Sequence, residues 1–396
     1  MRRTRLLPVA LLAVLSLIVT ACGGDETEPT TSLPTTTSLP TTTAAPTTTT
    51  TTAPASTTTT VPVSQMCQVT DTGGIDDGSA NQRVWEGLAL ARDQLGVEIL
   101  FRESPEATAY RANIDSFVDE GCDLIITVGG SMEADTADAA CDLPEQLFAI
   151  VGAAPAAGVG SAWADAGGAL RCDYSNVRGI TFAAEEAAFL AGYLAAGISE
   201  SGRVGTFGST DDAGVTTLMG SFAAGARHYG ETEGVTVQVL GWDPDDPAAA
   251  LFTGLDDPEQ AGVVVESLAG LGVDVILAVA GQLGRSGVAV AAERGILVIG
   301  GPADTFLADP EFAEVWLTSL VESADVAVLE SVANVVERGD LGGPYVGTLA
   351  NRGVGLAPYR GVEQAVPAGL ADAVDQLAAE IAAAGGLAAF LAPDGG

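Results

Sequence analysis

Two stretches of the chain follow one plan. Gly121-Cys122-Asp123 leads into the apolar run LIITV and Gly129, and Gly272-Val273-Asp274 leads into VILAVA and Gly281. In each case an amphipathic stretch and a second short run come next, FAIVG at 148–152 and LVIGG at 297–301. Unbroken β-branched runs bounded by glycine mark strands covered on both faces, since a strand with one wet face alternates apolar and polar residues. Joined by helices, such strands form parallel sheets. The spacing predicts strands at 67–71, 97–101, 123–128 and 147–151, with helices at 80–95, 107–120 and 132–141. A second set has strands at 203–207, 235–240, 274–280 and 296–300, with helices at 213–229, 257–271 and 284–294. The tail adds strands at 316–320 and 345–349 and helices at 323–338 and 367–384. The expected fold class is α/β: two Rossmann-like lobes with parallel sheets and a hinge between them. The first lobe is read as 66–180, completed by about 303–340. The second is read as 181–302, completed by about 341–396. Open sheets of this kind bind ligands at the carboxyl ends of their strands, and two lobes create a cleft that hinge motion can close.

The amino terminus carries an address. Arg2, Arg3 and Arg5 precede an apolar stretch, Leu6–Val19, that is too short for a stable bilayer span but suits a secretory signal. Val19-Thr20-Ala21-Cys22 resembles a lipobox, so 1–21 is expected to be a removed signal peptide and Cys22 the lipidated residue. Residues 22–65 read as a disordered tether, because 23–62 alone hold 19 Thr and 6 Pro. The protein is therefore expected on the outer face of the cell membrane, held by the lipid on Cys22. In that oxidising setting the remaining four cysteines favour disulfides over a metal site. Cys67 opens one predicted strand and Cys122 immediately precedes another. If those strands are neighbours, Cys67 pairs with Cys122 and, by elimination, Cys141 with Cys172.

Composition removes several function classes. The formal net charge is −36, and all 16 basic residues are Arg. Such a chain does not attract nucleic acid by charge. Without Lys there is no Schiff-base chemistry and no Walker-type phosphate loop. One histidine, His228, excludes a His-rich metal site. No nucleophile elbow is present, so no enzyme activity, metal or cofactor is expected.

The richest motif is Asp71-Thr72-Gly73-Gly74-Ile75-Asp76-Asp77-Gly78-Ser79-Ala80-Asn81, placed between the first strand and the first helix. Glycines let backbone approach a ligand, while Asp and Asn offer acceptors and donors. Equally, Asp77 or Ser79 could simply cap the helix. The motif resembles the start of the basic membrane protein family, solute-binding lipoproteins of ABC transporters that include purine-nucleoside receptors. The family pattern TD-x-GG-x-DD-x-SFN is followed over residues 70–87 except at Ala80. Further resemblances are Glu186-Ala187-Ala188-Phe189-Leu190-Ala191-Gly192-Tyr193, Gly202-Arg203-Val204-Gly205, Leu317-Thr318-Ser319 and Asp325-Val326-Ala327.

The resemblance implies a type I periplasmic-binding-protein-like fold, a small-molecule solute, an ABC permease as partner, and a nucleoside stacked between two rings. The ligand-binding residues expected on this basis are Asp71, Gly73, Gly74, Asn81, Gly129, Gly152, Phe252 and Gly281. Other positions depart from the pattern. Ala80 replaces an aromatic, Gly152 and Pro302 replace aspartates, and Glu322 replaces a lysine. The second ring is expected near Leu255, with Phe252 the nearest aromatic. The ligand is thus expected to be a small polar solute with nucleoside contacts partly lost, bound by a monomer. A sensing lipoprotein that reports to a membrane partner without transport is the alternative.

Weaker features complete the reading. Residues 152–176 look like an insertion whose Trp163 or Tyr174 could supply a replacement ring, although a surface loop stapled by Cys172 is favoured. His228 is expected near the surface at a helix end, and Glu185-Glu186 on a solvated face or at a helix start.

Overall fold

The computed structural model describes residues 64–254, 257 and 259–392, with backbone alone at Gln282 and Leu283. The signal segment 1–21, Cys22, most of the linker and Leu255 lie outside the described residues.

The first lobe opens with β1 (Gln65–Val69), α1 (Ala80–Leu95), β2 (Glu98–Arg102), α2 (Tyr110–Glu120), β3 (Leu124–Val128), α3 (Glu133–Asp142), β4 (Leu147–Val151) and β5 (Val177–Phe182). The chain then builds α4 (Ala184–Ile198), β6 (Arg203–Gly208), α5 (Ala213–Glu233), β7 (Gln238–Leu240), α6 (Gln260–Gly270), β8 (Val275–Val279), α7 (Arg285–Arg294), β9 (Leu297–Gly300), α8 (Thr305–Ala308) and β10 (Trp316–Glu322). It ends with α9 (Ala324–Arg338), β11 (Tyr345–Gly347), β12 (Val354–Leu356), α10 (Ala368–Ala384) and α11 (Leu387–Phe390). Two six-stranded sheets result, ordered β11-β5-β4-β3-β1-β2 and β12-β10-β9-β8-β6-β7. Every pairing is parallel except β12 on β10.

Successive side chains of one strand enter opposite core layers, as period 2 requires. On β3, Leu124, Ile126 and Val128 join the layer beneath α1 and α9, whereas Ile125 joins Tyr110, Phe117 and Trp163 on the other face. In the second lobe α4 is apolar on nearly all sides because α5, α10 and the sheet enclose it. Its contact with α5 is close: a Cβ on Gly192 would lie 1.9 Å from the Phe222 carbonyl oxygen, and one on Gly225 1.9 Å from that of Phe189. No described helix is long and apolar enough to cross a membrane.

Sheet membership divides the tail more finely than the sequence does. Residues 303–340 were expected in the first lobe, yet β10 belongs to the second sheet and only α9 packs on α1. Residues 341–396 were expected in the second lobe, yet β11 extends the first sheet. Strands β5 and β12 have no counterpart in the sequence reading. Arg178 and Gly179 break the apolar run of β5; Arg178 is nevertheless buried, donating to Glu330 at 2.6 Å and lying over the Tyr345 ring.

The chain passes between the lobes three times, after β5, after β10 and after β11. Hydrogen bonds tie these crossings together: Ala183 N–H to Gly347 O (2.8 Å), Ser323 N–H to Gly353 O (2.8 Å) and Leu349 N–H to Glu186 Oε2 (2.7 Å). Glu186 stands in the first turn of α4, as expected, but it is buried and holds the hinge rather than meeting water.

Both disulfides follow the expected pairing. β1 and β3 are neighbours, and Cys67 joins Cys122 with Cα atoms 6.1 Å apart; Cys141 joins Cys172 at 5.7 Å. The segment 152–176 is the favoured stapled loop, and its rings are not available to a cleft. Trp163 is fully buried, donates to Glu133 Oε2 at 2.7 Å and meets Tyr174 edge-on at 5.0 Å. His228 differs from expectation. It lies inside α5, which runs on to Glu233, half-buried among Phe189, Tyr193 and Phe390.

Candidate functional site

The turn between β1 and α1 is locked by its own side chains. Asp77 accepts from Ser79 N–H (2.7 Å), Gln82 N–H (3.2 Å) and Asn81 N–H (3.3 Å), so its carboxylate satisfies amides that the helix start leaves open. Asn81 is buried and donates from Nδ2 to Asp71 Oδ1 (2.7 Å) and Asp77 Oδ2 (3.0 Å). Its Oδ1 accepts from Asp71 N–H at 3.3 Å, and Asp71 Oδ1 also takes Gly73 N–H at 2.9 Å. Capping and orientation in this motif thus belong to different residues. Asp77 caps, Asn81 positions, and Asp71 is the group being positioned. Gly74 lets Glu103 approach the turn, where Glu103 Oε1 accepts from Ile75 N–H at 2.9 Å.

Asp71 Oδ2 points to the neighbouring strand ends. A Cβ on Gly129, after β3, would lie 3.1 Å from it, and one on Gly152, after β4, would have Gly129 Cα as its nearest neighbour at 3.9 Å. Both glycines have left-handed backbones, φ 93° and 87°, that a side chain would strain. Asp71, Gly129 and Gly152 therefore border one open space at the carboxyl edge of the first sheet.

A cavity of about 360 Å³ lies between the lobes. Asp76, Asp77, Gly78 and Ser79 form its first-lobe wall. Opposite stand Gly281 after β8, Gly300–Ala303 after β9, Arg285 at the start of α7 and Thr305 of α8. The walls approach each other closely at Gly78, where an added Cβ would be 3.5 Å from Ala308 Cβ. Of the expected ligand residues only Gly281 lines this cavity. Asp71, Gly73, Gly74, Asn81, Gly129 and Gly152 do not line it; Asn81 joins Asp71 to Asp77 of the cavity wall, and Phe252 packs against Gly208 at the end of β6. Pro302, noted in the sequence as a departure, does line it. Arg285 and Thr305 were not anticipated; their position depends on where α7 and α8 start relative to the opposite lobe, which no local pattern encodes.

The arginines around the cleft are committed. Arg285 bridges Asp309 (2.6 Å) and Glu311 (2.7 Å), Arg360 meets Asp304 (3.0 Å), and Arg83 meets Glu86 (2.6 Å) and Asp325 (2.8 Å). Glu322, last residue of β10, is the contrast. Its backbone N–H donates to Pro302 O at 3.0 Å, but its carboxyl makes no hydrogen bond or ion pair among the described residues. Burial pushes that carboxyl up to about 7. Among the described residues no group of three or more His, Cys, Asp or Glu is arranged to hold a metal.

Residues 64–366 match the family model described as ABC transporter substrate-binding protein PnrA-like. The chain belongs to this family. Its PnrA-like relatives include the ABC transporter nucleoside-binding protein BmpA of Lactococcus lactis, 27% identical over 220 residues, which are 54% of this chain and 55% of that protein. Basic membrane protein A of Borreliella burgdorferi is 26% identical over 54% of this chain and 58% of its own length. The CD4+ T-cell-stimulating antigen of Listeria monocytogenes is 27% identical over 70% and 75%. The chain thus spans little more than half the length of the first two relatives. Among solved structures, an ABC transporter solute-binding protein from Conexibacter woesei superimposes with a TM-score of 0.64 at 20% identity, covering 83% of this chain and 99% of that one. A solute-binding protein from Aeropyrum pernix gives 0.63 at 23%, covering 81% and 91%. At these identities the likeness establishes the fold, the expected type I periplasmic-binding architecture with its two lobes.

Proposed function

We propose that this PnrA-like protein is an extracytoplasmic solute-binding lipoprotein that closes its two lobes on a small polar solute and hands it to an ABC permease. The observation that carries the reading is the cavity bordered by carboxyl-end loops of both sheets, the place where open α/β sheets receive ligands. In this reading Asp71 is the first-lobe contact, held in place by Asn81. Gly73, Gly74, Gly129 and Gly152 give the solute backbone-level access, Gly281 forms the opposite wall, and Phe252 borders the site from β6. Cys22 carries the lipid, so Cys22→Ala releases the protein from the membrane fraction or leaves it uncleaved. A membrane-bound variant at mature mass would sink the anchor.

Ala80, Gly152, Pro302 and Glu322 replace a ring, two acceptors and a cation of the nucleoside pattern, so purine nucleosides should bind weakly. Calorimetry with adenosine, guanosine and inosine tests this, beside mass spectrometry of small molecules released when the natively purified protein is denatured. Tight nucleoside binding would show that the pocket is rebuilt for a base. A protein that releases nothing and binds nothing would refute solute binding altogether.

A further inference from the structure

We infer that Glu322 is the group of the second lobe that reads the solute, and that the cleft takes a solute bearing a cationic N–H group, an amine or a guanidine. This rests on the solute-binding reading above and names the class of ligand for that same site.

Glu322 ends β10 at the carboxyl edge of the second sheet, hydrogen-bonded through its backbone to Pro302, which lines the interlobe cavity. Beside it, Val354 of β12 is its pairing partner and Ser323 begins the second hinge crossing. The residue itself is not part of the cavity lining; it is one hydrogen bond behind Pro302, which is, and next to the hinge crossing at Ser323. Its surroundings strip water from the carboxylate without supplying a donor in return. Burial is the sole cause of its raised pKa, so no nearby charge offsets the lost hydration. An anion in such a place is costly until it is paired. Its oxygens are nonetheless absent from the side-chain atoms sealed off without a partner, so they keep access to open space.

Among the described residues no arginine is bonded to the Glu322 carboxyl, and the neighbouring acids are matched elsewhere. On α9 Asp325 is matched by Arg83, ahead of α8 Asp304 is matched by Arg360, and on α4 Glu186 is taken by the Leu349 amide. Asp71, the carboxylate of the first lobe, likewise has an oxygen, Oδ2, with no hydrogen bond, while Oδ1 takes two. A neutral hydroxyl would satisfy one lone pair of each group but leave the desolvated charge of Glu322 uncompensated. A positively charged N–H donor satisfies both demands, and charge-assisted hydrogen bonds are the stronger kind.

The test uses isosteric pairs that differ in charge. The full chain is dialysed at pH 8 against an equimolar mixture of agmatine and N-carbamoylputrescine, L-arginine and L-citrulline, with inosine and D-ribose added, and retained solutes are quantified by mass spectrometry. The expected result is retention of agmatine or L-arginine at least about tenfold above its neutral partner, from the ~1.4 kcal/mol per decade that one charge-assisted bond exceeds. Glu322→Gln, nearly identical in shape, should abolish the preference, and Glu322→Lys should exclude both cations. Thermal melts at the same pH verify that the variants are folded. Equal retention of the members of each pair, or a preference that survives Glu322→Gln, overturns the inference. Retention of inosine or ribose alone overturns the cationic class while leaving solute binding intact. Retention of none of the six also overturns the cationic class, and solute binding as such is then judged by what the denatured protein releases.

Discussion

Asp71 and Glu322 stand at the carboxyl edges of the two sheets, one carboxylate from each lobe, and they are held in opposite ways. Asp71 is oriented by a buried amide, a backbone amide and its own chain reversal, all within eleven residues of sequence. Glu322 is desolvated by elements drawn from across the chain and oriented by no hydrogen bond to its side chain. In the proposed reading the difference separates two ways of preparing a binding group. A preorganised acceptor spends its bonds before the ligand arrives, and so costs little further ordering on binding. An unpaired, partly buried carboxyl leaves its compensation to whatever enters.

The largest effect should come from breaking the first arrangement. Asn81→Ala removes one donor from each of Asp71 and Asp77, along with an acceptor for the Asp71 amide. Hydrogen bonds to charged groups contribute ~1.5–3 kcal/mol each, so a loss of about 3 kcal/mol in chemical denaturation is expected, with solute retention falling as well. A variant as stable as the parent would mean that the 70–81 turn is held by Asp77 capping alone.

The contrast also explains what the sequence makes legible. The parallel lobes could be read because the runs LIITV and VILAVA announce buried strands locally, and the Cys67–Cys122 bridge followed from strand adjacency. The Asp71 turn is local too, so its residues were found, although their division into cap, positioner and contact needed the hydrogen bonds. What stayed hidden is non-local. β5 carries a buried arginine whose partner, Glu330, is 152 residues away. The sequence favours a stapled surface loop at 152–176, with Trp163 as a spare ring in second place; that Trp163 is a core residue depends on neighbours from α2, β3 and β4. The charge of Glu322 is plain in the sequence, but its burial depends on three chain crossings that meet only in the folded protein.

A second, pH-dependent effect sharpens the comparison from the Glu322 side. Its folded pKa, about 7, lies above the ordinary 4.5, so ionisation is disfavoured in the folded state. The resulting destabilisation is absent at pH 4, grows as pH rises past 4.5 and is complete above about 7. Glu322→Gln removes it. The variant should match the parent at pH 4 and exceed it at pH 8.5 by on the order of 2 kcal/mol in ligand-free protein, read by denaturation at both pH values. A gain of the same size at pH 4 would point to packing rather than charge.

The smallest effect distinguishes the orientation of Asp71 from the space beside it. Gly129→Ala and Gly152→Ala both place a side chain on a left-handed backbone, at a cost of ~1–2 kcal/mol each. Their surroundings differ. The methyl at 129 would meet Asp71 Oδ2 at 3.1 Å, tight enough to displace the carboxylate, whereas the methyl at 152 would find nothing nearer than Gly129 Cα at 3.9 Å. Similar melting temperatures are therefore expected for the two variants, but a larger loss of solute retention in dialysis for Gly129→Ala. If Gly152→Ala weakens retention as much, the solute itself occupies the space above Gly152. The glycine there would then act by making room for part of the ligand, and the aim of Asp71 would matter less than the volume beside it.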